Sequence, residues 1–168
     1  ILGYIGFIGV VVALVVVVYM PASFASRSVE HTFNGLWVVD NYSRFFKIIF
    51  LIGTGLTILI SIKYVQQETM PPGEYYAMLL MATLGMMIMS SSADLMPIFL
   101  GIELMSISLY VLTGYARTRM ISNEAALKYF LLGSFATGFL LYGIALLYGA
   151  TGTTNILGIA TYIGQNSL

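Results

Sequence analysis

PIFLGIELMSISLYVLTGY, residues 97–115, is apolar enough to span a membrane apart from Glu103 near its middle. No other charged side chain lies between Asp94 and Arg117. Crossing ~30 Å of hydrocarbon takes about 20 apolar residues, so the stretch reads as a transmembrane helix with a carboxyl group inside it. Glu103 lies about eight residues from the start of the span, ~12 Å deep at 1.5 Å per residue. An ionised carboxylate there costs at least ~3 kcal/mol on insertion scales. It must therefore face protein or a wet cavity.

The rest of the chain agrees with a membrane setting. Of 168 residues, 59% are hydrophobic and 8% charged. A soluble domain carries roughly 25% charged residues, so the composition is that of an all-α, polytopic membrane helix bundle. Seven bases balance seven acids, which leaves no basic excess for nucleic acid or for a surface-lying helix. With no cysteine and one histidine, His31, the usual ligands for iron–sulfur clusters, zinc and haem are missing. The expectation is a chain that binds no metal and no cofactor. A soluble enzyme, a nucleic-acid binder and a haem protein are excluded.

Five spans are expected, at about 1–20, 42–65, 74–91, 95–115 and 123–149, in a single membrane domain. Pro21 closes the first, and a polar, aromatic-studded loop follows it. PPGE opens the third, with prolines and an acid suited to a helix start. Asp94 is placed to cap the fourth, where Pro97 in the first turn is harmless. The tail GATGTTNILGIATYIGQNSL is expected to be a loop without a span of its own. The chain begins at Ile1 within an apolar run and without a basic n-region, so a piece of a longer protein is expected in preference to a signal peptide. Lys63, Arg117 and Arg119 at one set of span ends outnumber Arg27 and Arg44 at the other, which puts the RTR loop in the cytoplasm. Lys47, about a turn inside the second span, is expected to snorkel outward. A solvated helix end accounts for Asp40, Arg44 and Lys47 together.

Glu103 is the first candidate for chemistry. Desolvation makes a carboxyl poised between charged and neutral, as a proton relay requires. Ser106 at i+3 and Tyr110 at i+7 share its face and are placed to hydrogen-bond it or a water. The competing role is a protonated glutamate that glues helices together. Lys128 is the second candidate, with Glu124 four residues before it in the favourable orientation. An interfacial, self-neutralised pair is as good a reading on spacing alone. The small residues Gly133, Ser134, Thr137 and Gly138 suggest a tightly packed helix and hence an inward lysine. The ten methionines, without clustered histidine, read as flexible packing and not as a copper path.

The blocks GEYYA (73–77), ATLGMM (82–87), GIELMS (101–106) and SNEAALKYFLLG (122–133), in that order, resemble the subunit N family of NADH-quinone oxidoreductases. FNGLWVVDNYSRFFK (33–47) is similar to the stretch before that family's third helix, so the resemblance covers roughly 33–155. Members are antiporter-like membrane subunits of bacterial respiratory complex I, with a fold of inverted repeats shared with Mrp-type antiporters. The resemblance implies that the chain holds about the second to sixth helices. It further implies that Glu103 is the glutamate of a proton channel and that Lys128 lies on the same polar path. Ser106, Tyr110 and Glu124 then support that path, and a partner lysine lies beyond Leu168. By the same resemblance, NADH, FMN, iron–sulfur clusters and quinone belong to other subunits of the complex. Neighbouring antiporter-like subunits and the lipid bilayer are the implied partners, in a bacterial inner membrane. An Mrp-type cation/proton antiporter subunit and a non-catalytic membrane scaffold stand as alternatives.

Overall fold

A computed structural model describes residues 1–19, 31–32, 35–68 and 70–165. Pro21 and Arg27 lie outside the described residues. Among the described residues, six helices make up most of the length: α1 (Leu2–Tyr19), α2 (Asn41–Gln67), α3 (Pro72–Ser90), α4 (Leu95–Thr113), α5 (Met120–Thr151) and α6 (Ile156–Gln165). Between α1 and α2, the strands β1 (His31–Thr32) and β2 (Trp37–Val38) form a short antiparallel ladder.

Among the described residues, four helices, α1, α2, α4 and α5, are long and apolar enough to cross a membrane. The remaining long helix, α3, has 19 residues but opens with Pro72, Gly73, Glu74 and two tyrosines, which lower its hydropathy. It compensates by position. α3 packs against α1, α2 and α4, and buries Tyr76, Leu79, Ala82, Thr83 and Gly85. The helices otherwise pack in chain order, α2 on α3, α3 on α4 and α4 on α5. The core gathers Val10 of α1, Leu51 and Ile58 of α2, and Tyr76 and Leu79 of α3, with Phe7, Leu14 and Ile62 around them.

Local chemistry explains the helix ends. Asp40 caps α2 by accepting from the Ser43 amide at 2.7 Å, while Ser43 Oγ accepts from the Asp40 amide at 3.2 Å. Asp40 is thus a capping-box residue, more than a solvated charge. Arg44 donates to the Val18 carbonyl near the end of α1, which ties the first two spans together. Gly152, at φ 72°, ends α5 in the left-handed conformation that glycine adopts without strain.

Two helix contacts lie inside the bundle. Thr54 of α2 and Thr83 of α3 share a buried hydroxyl–hydroxyl bond of 2.7 Å. Each hydroxyl also lies within reach of its own helix, Thr54 at 2.8 Å from the Phe50 carbonyl and Thr83 at 2.9 Å from that of Leu79, so one gives its single proton to the other hydroxyl and the other keeps its bond to its own helix. α3 and α4 cross at Gly85 and Gly101, both buried. Small residues let helix backbones approach this closely.

The tail departs from expectation. Residues 156–165 form a helix, ten residues long and too short to span a bilayer on its own. Residues 36–38, just before α2, are tied to the α3–α4 turn: the Val38 amide donates to the Ser91 carbonyl at 2.8 Å, and that of Ala93 to the Leu36 carbonyl at 2.9 Å.

Candidate functional site

α4 carries two faces with different duties. Gly101 and Ser108, both buried, fall on the side turned to α3. Glu103 is two residues beyond Gly101, so at about 100° per residue it points roughly 160° away from the α3 contact. On this second face Tyr110 and Gly114 meet α5. The Tyr110 ring stands edge-on to Tyr129 at 4.9 Å and to Phe130 at 5.8 Å. A Cβ on Gly133 would fall 1.8 Å from the Tyr110 hydroxyl, and one on Gly114 2.8 Å from Ala126 Cβ. Glycine at 133 is therefore required for the tyrosine to lie flat against α5.

Glu103 and Ser106 are half-buried in this seam. Among the described residues, no hydrogen bond or ion pair reaches the Glu103 carboxylate or the Ser106 hydroxyl. The direct bonds expected from Ser106 and Tyr110 are not formed; Tyr110 is engaged with α5 instead. The chain thus presents a carboxyl group within a span, flanked by a serine hydroxyl and left without a cation of its own.

Lys128 is placed differently. It pairs with Glu124 one turn before it, and both side chains are largely exposed, at 69% and 60%. Ala126, Tyr129, Phe130 and Gly133 mark the side of α5 that faces α4; Lys128 points roughly 150° from that side. Because Gly114 sits beside Ala126 and Tyr110 beside Gly133, Glu103 is level with about residue 138 of α5. Lys128 is then about 15 Å away along the helix axis. Within this chain the two do not meet, and the inward lysine expected from the small residues of α5 is not what the structure holds. Gly133 and Thr137 lie on the α4-facing stripe; Ser134 and Gly138 are turned about 90° and 130° away from it.

Lys47, expected from the sequence to snorkel outward from a solvated helix end, is less exposed than that reading implies. It falls at i−4 to Leu51 and i−7 to Thr54, on the stripe that continues through Ile58 and Ser61 into the core, and it is half-buried. Its spacing from those residues was the available signal. Among the described residues, no three histidine, cysteine, aspartate or glutamate side chains come together in metal-binding geometry.

At the other set of span ends, Arg119 pairs with Glu68 at 2.6 Å and Arg117 with Glu74 at 3.6 Å. Tyr115, nearly buried, donates to the Pro71 carbonyl at 2.6 Å. These contacts bind the α2–α3 turn to the α4–α5 turn.

A bundle of long apolar helices with a glutamate inside one span is that of a polytopic membrane protein. Residues 92–168 match the family described as NADH:quinone oxidoreductase/Mrp antiporter, TM. The chain is 56% identical over 134 residues to NADH-quinone oxidoreductase subunit N of Trichlorobacter lovleyi, covering 80% of this chain and 28% of that protein. It is 42% identical over 168 residues to subunit N 2 of Roseiflexus castenholzii, covering 100% of this chain and 33% of the relative. Among solved structures, it superposes on a chain of respiratory complex I from Thermus thermophilus with a TM-score of 0.74 and 31% identity, over 92% of this chain and 32% of that one. A membrane-bound sulfane sulfur reductase, an archaeal respiratory membrane complex, shares the fold with a TM-score of 0.82 and 24% identity, over 95% of this chain and 34% of that one. The chain belongs to the NADH-quinone oxidoreductase subunit N family. It spans about a third of the length of the relatives it matches, 28% and 33% in these two.

Proposed function

We propose that the protein to which this chain belongs translocates protons as a membrane subunit of an NADH:quinone oxidoreductase. The observation that carries the reading is Glu103: a half-buried carboxylate inside a span, with no partner among the described residues. A nearby cation favours the charged form of such a group, and withdrawing it leaves a desolvated acid that takes up a proton. Alternating the two states moves protons one at a time. The cation comes from outside this chain's described contacts, since Lys128 is engaged with Glu124 and displaced along α5. Lys128, Glu124, Ser106 and Tyr110 are assigned to the polar path around the glutamate. Electron-transfer cofactors and quinone belong to other subunits. The setting is a bacterial inner membrane, with the Arg117 and Arg119 loop on the cytoplasmic side, as the excess of bases at those span ends supports.

The test is Glu103→Gln in the intact complex, reconstituted in vesicles. Proton uptake per electron falls severely while the complex still assembles. An unchanged ratio overturns the assignment and favours a scaffold in which Glu103 is packing glue. The Mrp-type antiporter reading shares the same glutamate; purification without a quinone reductase would favour it.

A further inference from the structure

Asp94 is a carboxylate buried more deeply than Glu103, 5% exposed, and the proton path does not use it. An N-cap needs one acceptor atom. Asp94 supplies that with Oδ1, which accepts from the Met96 amide at 2.9 Å. Its second oxygen, Oδ2, accepts from the Thr154 hydroxyl at 2.9 Å, sixty positions away in sequence. Backbone bonds flank this contact on both sides. The Leu95 amide donates to the Thr154 carbonyl at 3.0 Å, and that of Ile156 to the Ala93 carbonyl at 3.1 Å. Asn155 then donates to the Gly35 carbonyl at 3.4 Å and accepts from the Gly158 amide at 3.1 Å, inside the first turn of α6.

The connection from α5 to α6 is only residues 152–155, reversed at Gly152. Three segments distant in sequence, 35–38, 91–95 and 154–156, are therefore stitched at one end of the bundle, with the Asp94 carboxylate at the centre. Glu103 follows on the same helix, about 13.5 Å from Asp94.

We propose that Asp94, through its bond to Thr154, is a positioning residue that fixes the start of α6 against the first turn of the helix carrying Glu103. This rests on the proton-translocating reading of Glu103. The proton affinity of a buried carboxyl depends on which groups are held close to it. Losing the bond would free the first turn of the Glu103 helix to shift, while the buried core of Val10, Leu51, Ile58, Tyr76 and Leu79 stays in place. A looser support shell of this kind degrades function before it degrades folding.

The experiment compares Asp94→Ala, Asp94→Asn, Thr154→Val and the Asp94→Ala/Thr154→Val double variant in the intact, reconstituted complex, with Glu103→Gln in parallel. Protons moved per electron, NADH oxidation rate and amount of assembled complex are read for each. Asp94→Ala and Thr154→Val at least halve the proton ratio while assembly and NADH oxidation persist. The double variant is no worse than Asp94→Ala, because the bond that Thr154→Val removes is already lost in Asp94→Ala, which also loses the cap to Met96. Asp94→Asn, which keeps the cap and can still bond Thr154, recovers most of the ratio. If Asp94→Ala and Thr154→Val pump at the wild-type ratio, or only lower the yield of complex, the positioning role is wrong. Wild-type pumping in those variants with loss in Glu103→Gln sinks this inference alone; wild-type pumping in Glu103→Gln sinks the functional reading itself.

Discussion

Gly85 and Gly101 bring the backbones of α3 and α4 into direct contact. A Cβ on Gly85 would lie 2.6 Å from the Gly101 carbonyl oxygen, and one on Gly101 2.8 Å from the Gly85 carbonyl oxygen. Real side-chain carbons do not approach backbone so closely, so the two helices must separate to admit even a methyl group. Gly101→Ala is expected to destabilise the bundle by about 1–3 kcal/mol, the usual cost of overpacking. A lowered thermal midpoint of the purified protein reports it. Gly9→Ala, where nothing lies within 4 Å of the added carbon, serves as the comparison and stays near wild type.

Lys128→Ala separates packing from transport. The Glu124–Lys128 pair is exposed on both sides, and such helix-surface pairs contribute about 0.2–0.5 kcal/mol. Assembly and thermal stability should be unchanged. Proton translocation should fall, though less than in Glu103→Gln. A variant that fails to assemble while the remainder pumps normally would assign Lys128 to packing.

Thr54 and Thr83 allow a double-variant cycle inside the bundle. The two hydroxyls have one proton each, so one donates across to the other, which donates to its own helix, and the link between helices is the bond that either substitution removes. Interhelical bonds in membranes average about 0.6 kcal/mol. Thr54→Val and Thr83→Val should each cost about that much, and the pair together little more than either alone. Additive losses would show that the hydroxyls act separately.

The contacts between the α2–α3 and α4–α5 turns should differ in strength. Tyr115→Phe removes one nearly buried donor from the Pro71 carbonyl, with an expected loss of about 1 kcal/mol. Arg117→Gln breaks a 3.6 Å pair whose side chains are 79% and 64% exposed, and should leave stability unchanged. Arg119→Gln, facing a less exposed Glu68, should fall between them and lose its effect as salt is raised.

The long helices were legible because a bilayer demands an unbroken apolar run, and their ends were marked by caps such as Asp40 and Asp94. Helix α6 was not: ILGIATYIGQ is too short for a span, and threonine and glycine make it resemble the loop before it. The ladder at 31–38 was also hidden. Its second strand hydrogen-bonds through Val38 to Ser91, a partner that local alternation does not reveal. For the site, the depth of Glu103 could be counted along one helix. The direction of Lys128 could not, because the small residues of α5 divide between two sides. The contacts of Tyr110 with Tyr129 and Phe130, and of Gly114 with Ala126, show which side meets α4.

The 32 residues of α5 extend about 48 Å, against about 28 Å for the 19 residues of α4 beside it. Two neighbours so unequal cannot both stand upright and end level with the headgroups. The longer one leans, or carries its ends out of the acyl layer, and the shorter one sets how thin that layer can be. Lipid chain length thus becomes a force on the angle between α4 and α5, at the seam that holds Glu103.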